Sequence, residues 1–307
     1  MNKDNRFVMY LYAVLAMLCW GSTFVWFKVV FQYYKPLSVT FTRLVIASVL
    51  ISLYILITKK KEKIHLEDYK WFVLLTFFEP VCYFLGESFG MDRVSASLGS
   101  IIISTIPLVT PVLTFLFLKE KISLYGIAGL LVSFFGVTLI VLGESSGNSS
   151  LLGISLMIFA VFSAVGYGIV VRRLSVKYSS FTIVKVQSIL GMLMFLPLFY
   201  IFEWDHFISV PLNYEAISTI FKLAIFGSVL AFLFMTTVVR GIGLNNANMF
   251  TNLIPVITAF SSYFILKEVF GIQKIVGIVI VISGLLISQI PHIVRHEKVV
   301  KFINKFY

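Results

Sequence analysis

Long apolar runs separated by short polar segments dominate this chain. A helix needs about 20 apolar residues to cross the hydrocarbon core of a bilayer. Runs of this kind predict helices at residues 8–30, 37–58, 69–90, 95–118, 123–142, 151–171, 180–202, 216–239, 245–266 and 271–290. The longest connections, 59–68 and 203–215, are too short for a catalytic domain. The pattern therefore predicts an all-α membrane protein of about ten transmembrane helices.

The composition agrees with a surface that faces lipid. Hydrophobic residues make up 59% of the chain and charged residues 13%, whereas a soluble domain carries about 25% charged residues. The net charge of +11 does not indicate a nucleic-acid partner, because the basic residues lie between apolar runs and not on one soluble face. Both cysteines lie within apolar runs and form no metal-binding motif. We expect no metal and no cofactor.

The basic residues also orient the helices. With the N-terminus inside, 17 of the 25 lysines and arginines fall on the inner side, 5 on the outer side and 3 within spans. Lysine and arginine resist translocation, so such a bias marks the cytoplasmic side. The sequence therefore predicts a multi-pass protein of the cytoplasmic (inner) membrane. Both termini, including a basic tail at 291–307, are expected in the cytoplasm.

An internal repeat divides the predicted helices into two groups of five. Three motifs recur at an offset of 148 residues: Ile106-Pro107 with Ile254-Pro255, Leu118-Lys119-Glu120 with Leu266-Lys267-Glu268, and Gly129 and Gly136 with Gly277 and Gly284. The predicted units are 8–142 and 151–290. Because five is odd, the second unit must enter the membrane from the opposite side. Inverted repeats of this kind are typical of secondary transporters, which bind substrate near the midplane.

Several short motifs make the chain resemble the EamA family of the drug/metabolite transporter superfamily. In the first unit they are Trp20-Gly21-Ser22-Thr23-Phe24 with Lys28, Pro36 followed by Arg43 and Ala47, and Pro107 followed by Leu118-Lys119-Glu120. The second unit keeps Pro255 and Lys267-Glu268, but it has Tyr167-Gly168 in place of Trp-Gly and Gln187 where Arg43 stands. The resemblance implies two EamA repeats in ten helices around a central cavity. It does not imply a particular substrate.

Glu79 is the main candidate for chemistry within the membrane. It lies near the centre of the third span, where a carboxylate costs several kcal/mol unless it is paired or neutral. Pro80 follows it and can kink the helix, because proline supplies no backbone N–H. Glu79 is interpreted as a proton- or substrate-binding carboxyl group, with a protonated packing residue as the alternative.

Arg43 and Glu87 fall at similar depth near the outer side of the second and third spans. Buried charges usually find partners. The two residues therefore form a candidate ion pair, which could be structural, a gate or an anion site. The structural pair is the favoured interpretation.

The remaining candidates are aromatic, amide and proline residues. Trp20, Tyr83 and Tyr167 could stack on a substrate or simply pack between helices. Asn248 and Asn252 are four residues apart, so a regular helix would put them on one face. Pro80, Pro107, Pro111 and Pro255 are candidate hinges. We expect Glu79, Tyr83, Asn248 and Asn252 to share a midplane cavity between the third, fourth, eighth and ninth helices, with Trp20 nearby.

These patterns together predict a transporter and not an enzyme. The expected partners are a small metabolite or drug-like substrate and membrane lipid, with alternating access and export favoured and proton coupling left open. The alternatives are a membrane-embedded enzyme or a channel. No HExxH, GxSxG or GxGD motif supports an enzyme, and no Walker A motif supports direct use of ATP.

Overall fold

A computed structural model describes residues 3–118, 124–143, 150–267, 271–273, 275–284 and 286–287. No β-strand occurs among these residues. The helices of the first half are α1 (Lys3–Val30), α2 (Pro36–Thr58), α3 (Leu66–Met91), α4 (Ala96–Ile103 and Ile106–Leu118) and α5 (Leu124–Gly143). Those of the second half are α6 (Leu151–Lys177), α7 (Ser180–Phe202), α8 (Tyr214–Ile242), α9 (Leu244–Asn248, Met249–Asn252 and Leu253–Ile265) and α10 (Ile275–Gly284).

Within the described residues, seven helices are long and apolar enough to cross a membrane, and α10 is a shorter apolar helix. Seven of the ten predicted spans coincide with these helices, although some predicted ends are too early. The helix α6 continues to Lys177, six residues beyond the predicted end, because the basic residues after Val171 extend the helix past the apolar run. The Lys119-Glu120 motif, Glu268 and the tail 291–307 lie outside the described residues.

Four helices are interrupted, and the interruptions occur at corresponding places in the two halves. In the first half, α3 has a widened turn at Phe77–Cys82 and α4 has a break between Ile103 and Ile106. In the second half, α8 widens at Leu223–Leu230 and α9 tightens to a 3₁₀ turn at Met249–Asn252. An offset of 148 residues moves the widened turn of α3 onto residues 225–230 of α8, and the break in α4 onto residues 252–253, where the 3₁₀ turn of α9 ends.

The helices α2 and α7 pack antiparallel along their whole length. Phe41 stacks on Phe199 with ring centres 4.6 Å apart, and Tyr54 stacks on Phe181 at 4.8 Å. At one end, the carboxylate of Glu203 accepts hydrogen bonds from the backbone N–H and the hydroxyl of Ser38. A carboxylate at a helix N-terminus satisfies unpaired N–H groups and complements the helix dipole.

A similar glutamate–serine cap joins the other ends of α2 and α7. Glu62, which follows α2, accepts hydrogen bonds from the N–H and hydroxyl of Ser179 at 3.0 Å, just before α7. Partial burial alone would raise the pKa of Glu62, but hydrogen bonds from Thr182 and Ser179 outweigh it and lower the pKa below 4.5. The two caps lie at opposite ends of α2 and are related by an offset of 141 residues.

The helices α3 and α6 form a second antiparallel pair, held together by close backbone approach. A Cβ atom on Gly86 would lie 2.7 Å from the carbonyl oxygen of Leu156, so only glycine fits there. At the end of the pair that contains the start of α3, the carboxylate of Asp68 accepts hydrogen bonds from Lys177 at 2.9 Å and from Tyr178 at 2.8 Å. These contacts hold α3 against α6 on both sides of the interruption at Glu79.

The helices α4 and α9 form a third antiparallel pair. The hydroxyl groups of Ser97 and Ser262 are 3.3 Å apart, and the amide of Asn248 donates to Thr110 at 3.1 Å. On the periphery, α10 approaches α5 closely: a Cβ atom on Gly136 would lie 2.8 Å from Val281. The three antiparallel pairs each join one half of the chain to the other, and the space between them contains the site described next.

Candidate functional site

A cavity lies between α1, α3, α4, α6, α8 and α9, at the level of the helix interruptions. It offers about 60 Å³ to the centres of water molecules, which is room for roughly four to six waters. Its lining is mostly apolar, with a few polar groups: Trp20, Phe24, Glu79, Tyr83, Glu87, Ile103, Ile106, Ala164, Tyr167, Gly168, Val171, Met235, Thr236, Val239, Leu244, Asn248, Thr251 and Ile254.

Glu79 lines the cavity from the interruption in α3. Its backbone is extended, with φ −150° and ψ 121°, because Pro80 cannot supply the N–H that would continue the helix. The residue is 6% exposed, and its carboxyl oxygens have no hydrogen-bond partner among the described residues. A buried carboxyl group without a partner is unfavourable as an anion. A proton or a cation at this carboxyl group would remove that cost.

Arg43 and Glu87 form the ion pair that the sequence suggested. The nearest guanidinium nitrogen lies 3.6 Å from Glu87 Oε2, and both residues are buried. The hydroxyl of Tyr83 donates to the other oxygen of Glu87 at 2.9 Å. The guanidinium also stacks on Phe84, 3.7 Å from the ring centre. Glu87 reaches the cavity, whereas Arg43 lies behind it and does not line it.

Trp20 and Tyr167 line the cavity and pack against a shared ring. Phe232 meets Trp20 edge to face at 5.3 Å and Tyr167 edge to face at 5.8 Å. The indole N–H of Trp20 donates to the carbonyl of Gly227 at 3.3 Å, within the widened turn of α8. The hydroxyl of Tyr167 donates to Gln187 at 2.9 Å. Both aromatic residues thus hold fixed positions in the wall.

Asn248 and Asn252, which a regular helix would put on one face, do not both line the cavity. Asn248 is buried and lines the cavity, whereas Asn252 does not line it. The reason is the 3₁₀ turn over Met249–Asn252. Four residues of an α-helix return to within about 40° of the starting direction, but four residues of a 3₁₀-helix differ by about 120°. The tighter turn therefore rotates Asn252 away.

The four candidate hinge prolines lie at or beside the interruptions. Pro80 lies in the widened turn of α3, and Pro107 follows the break in α4. Pro255 follows the 3₁₀ turn of α9, while Pro111 lies within the second part of α4. Proline tolerates the first turn of a helix because the N–H there needs no intrahelical partner. Pro107 and Pro255 hold such positions.

Sequence reasoning missed three polar residues of this region: Thr236 and Thr251, which line the cavity, and Thr110, which supports Asn248. The repeat did contain one signal, because Thr110 and Thr258 are 148 residues apart. Thr258 donates to the carbonyl of Gly21 at 2.8 Å. Among the described residues, no group of three histidine, cysteine, aspartate or glutamate side chains could hold a metal ion.

The sequence model of the EamA-like transporter family matches residues 7–142 and residues 151–289. The chain belongs to this family. The two matches together cover most of its length. We therefore describe the chain from here on as a membrane protein of a transporter family, and its apolar helices agree with that assignment.

Individual relatives point in the same direction. The chain is 25% identical over 281 residues to an uncharacterized transporter of Archaeoglobus fulgidus, which covers 92% of this chain and 96% of the relative. It is 32% identical over 207 residues to the uncharacterized transporter YetK of Bacillus subtilis, across 66% of this chain and 62% of the relative. These names point to transport and not to an enzyme.

A solved crystal structure shares the fold. It matches with a TM-score of 0.69 over 92% of this chain and 98% of the solved chain, at 13% sequence identity. The likeness concerns the fold alone.

Proposed function

We propose that this protein moves a small metabolite or drug-like molecule across the cytoplasmic membrane by alternating access, and that it acts in export. The cavity around Glu79 is the proposed substrate site, contacted by Trp20, Tyr83, Tyr167 and Asn248. The observation that carries the proposal is a buried carboxyl group without a protein partner, which lines a cavity between the two halves of a transporter-family chain. Intramembrane acids are conserved for function and mark substrate or ion pathways.

We further propose that residues 8–142 and 151–290 are inverted repeats of five helices each. The antiparallel pairing of α2 with α7 and of α4 with α9 supports this arrangement, because an inverted repeat pairs each such helix with its own counterpart. The reciprocal caps, Glu203 on Ser38 and Glu62 on Ser179, support it further. In this arrangement the interrupted helices supply the bending points, with Pro80, Pro107, Pro111 and Pro255 beside them.

The proposed direction, export, rests on how far the cavity extends towards the proposed cytoplasmic side. Its lining includes Val171, Val239 and Leu244, next to arginines that the charge bias assigns to the cytoplasmic side. Arg172 donates to the carbonyl of Val239 at 3.0 Å at this end. At the other end, Ser97 and Ser262 bring α4 and α9 together. A site nearer the cytoplasm is suited to loading from the cytoplasm, as export requires.

Vesicles containing the purified protein test the function. Candidate metabolites are loaded inside or outside, and their movement is followed for the wild type and for Glu79→Gln, which keeps the shape of the side chain and removes the titratable proton. We expect at least one solute to move with the wild type and to move more slowly with the variant. If the variant kept the wild-type rate and pH dependence, Glu79 would be a packing residue.

The proposed orientation has its own test. Single cysteines introduced at 59–63, in protein lacking Cys19 and Cys82, should react with an impermeant thiol reagent only from the cytoplasmic side. Reaction from outside intact cells would reverse the orientation and place both termini outside.

A further inference from the structure

Four of the hydrogen-bond donors that line the cavity already have acceptors within the protein. Tyr83 donates to Glu87 and Tyr167 donates to Gln187, both at 2.9 Å. The indole N–H of Trp20 donates to Gly227, and the hydroxyl of Thr251 donates to the carbonyl of Asn248 at 2.7 Å. A donor that is already used gives a ligand little further stabilisation, because moving it would break an existing bond.

Acceptor oxygens of Glu79 and Asn248 remain available to a ligand. Both carboxyl oxygens of Glu79 have no hydrogen-bond partner among the described residues, and Glu79 is 6% exposed. The amide of Asn248 donates one N–H to Thr110, and among the described residues its side-chain carbonyl oxygen accepts no hydrogen bond. A ligand that supplies N–H groups would satisfy these oxygens, whereas a ligand that supplies only acceptors would leave them unpaired.

Charge favours the same class of ligand. Arg43 is balanced by Glu87 and stacked on Phe84, and it does not line the cavity. Among the described residues no lysine or arginine lines the cavity, so an anion would find no positive side chain in this lining. Glu79 and Glu87 are two buried carboxyl groups near one arginine, Arg43, so a further proton or cation would balance their charge. The faces of Trp20, Tyr83 and Tyr167 surround the same space, and aromatic faces attract cations.

We propose that the cavity selects a small organic cation with an ammonium group, which Glu79 accepts in exchange for its proton. This inference rests on the transport function proposed above. In the step, the O–H bond of the neutral Glu79 carboxyl group breaks and its proton passes to water. The carboxylate that remains pairs with the ammonium group, so the charge of the site is unchanged.

Three aromatic compounds of similar size test this choice. Phenethylamine carries the ammonium group alone, phenylalanine adds a carboxylate to it, and 3-phenylpropionate carries the carboxylate alone. Binding to the purified full-length protein in detergent is measured by calorimetry in buffers of different ionisation enthalpy, which also counts released protons. We expect phenethylamine to bind with release of one proton, phenylalanine to bind more weakly and 3-phenylpropionate not to bind.

Glu79→Gln should weaken phenethylamine binding at least about tenfold, a loss of 1.4 kcal/mol, and abolish the proton release. Glu79→Asp keeps the charge and should keep proton release. Asp92→Asn, the same chemical change at an exposed loop acid paired with Arg93, is the matched control and should bind as the wild type does. Circular dichroism verifies that each variant is folded.

Two results would overturn the inference: 3-phenylpropionate binding as tightly as phenethylamine, or Glu79→Gln binding phenethylamine with wild-type affinity. Absence of phenethylamine binding in the millimolar range would overturn it as well. The vesicle assay described under the proposed function distinguishes failure of the cation inference from failure of the transport function. Movement of other solutes without amines refutes the cation class alone, and amine binding at Glu79 without movement of any solute refutes transport alone.

Discussion

The carboxylate of Glu203 accepts two hydrogen bonds from Ser38, at 2.7 Å from the backbone N–H and at 2.8 Å from the hydroxyl. Both residues are buried, and they join the end of α7 to the start of α2. The cap between Glu62 and Ser179 joins the same two helices at their other ends. The pair α2–α7 is therefore fastened at both ends, whereas the interrupted helices surround the cavity.

The first prediction concerns this cap. Glu203→Gln keeps the shape but loses the charged acceptor, and hydrogen bonds to charged groups contribute about 1.5–3 kcal/mol. We expect a loss of stability of that order, measured by thermal unfolding in detergent. Glu215→Gln is the control, because Glu215 contacts the exposed hydroxyl of Tyr33. If both variants unfolded at the wild-type temperature, the cap would not hold the helix pair.

The second prediction uses the lowered pKa of Glu62. A carboxyl group with a depressed folded-state pKa stabilises the fold above its unfolded pKa, and this contribution disappears as the pH falls through the folded-state value. Glu62→Gln should therefore be less stable than the wild type at neutral pH, and the difference should shrink once the pH falls below 4.5. Unfolding temperatures measured against pH check this. A difference that stayed constant down to acid pH would contradict it.

The ion pair gives a third prediction. Removing Arg43 alone, as Arg43→Leu, leaves Glu87 buried without its positive partner, and breaking a buried pair costs about 3–5 kcal/mol. The double variant Arg43→Leu with Glu87→Leu should recover most of that loss. A double-mutant cycle of unfolding temperatures, with Glu87→Leu as the fourth corner, measures the coupling. Additive losses would mean that the pair does not stabilise the fold.

The fourth prediction concerns the contact between α3 and α6. Gly86→Ala would push a methyl group to 2.7 Å from the Leu156 carbonyl oxygen. The Leu156 oxygen belongs to the backbone and cannot rotate away from the methyl group. The two helices would therefore have to separate, at a cost of about 1–3 kcal/mol. Gly271→Ala is the control, since nothing lies within 4 Å of its Cβ position. Equal unfolding temperatures for the two variants would show that the helices separate readily.

The seven spans found among the described residues were predictable from the sequence, because a run of about 20 apolar residues can cross a bilayer as a helix that satisfies its own backbone hydrogen bonds. The pairing of Arg43 with Glu87 was predictable from equal depth and the cost of buried charge. The position of Asn252 was not, since it depends on a 3₁₀ turn that no residue pattern announced. The acceptors of Tyr167 and Trp20 could not be assigned from sequence either, because Gln187 and Gly227 lie on other helices.

The reciprocal caps are a further case. Glu62 and Glu203 lie in polar connections, where a glutamate does not by itself indicate a helix cap. Their partners, Ser38 and Ser179, begin helices, and serine is common at such positions. Only the antiparallel packing of α2 on α7 brings each glutamate to the serine of the other half.

The account depends most on a cavity that opens to each side of the membrane in turn, and cysteine labelling tests this directly. Ala164 lines the cavity, so Ala164→Cys is introduced into protein without Cys19 and Cys82 and treated with an impermeant thiol reagent. Vesicles of both orientations are compared, with and without a cross-link made by Ser97→Cys and Ser262→Cys between α4 and α9. The account predicts labelling from both sides in the absence of the cross-link, and from the cytoplasmic side alone once the cross-link has formed. Labelling from one side under every condition, or from both sides despite the cross-link, would contradict alternating access.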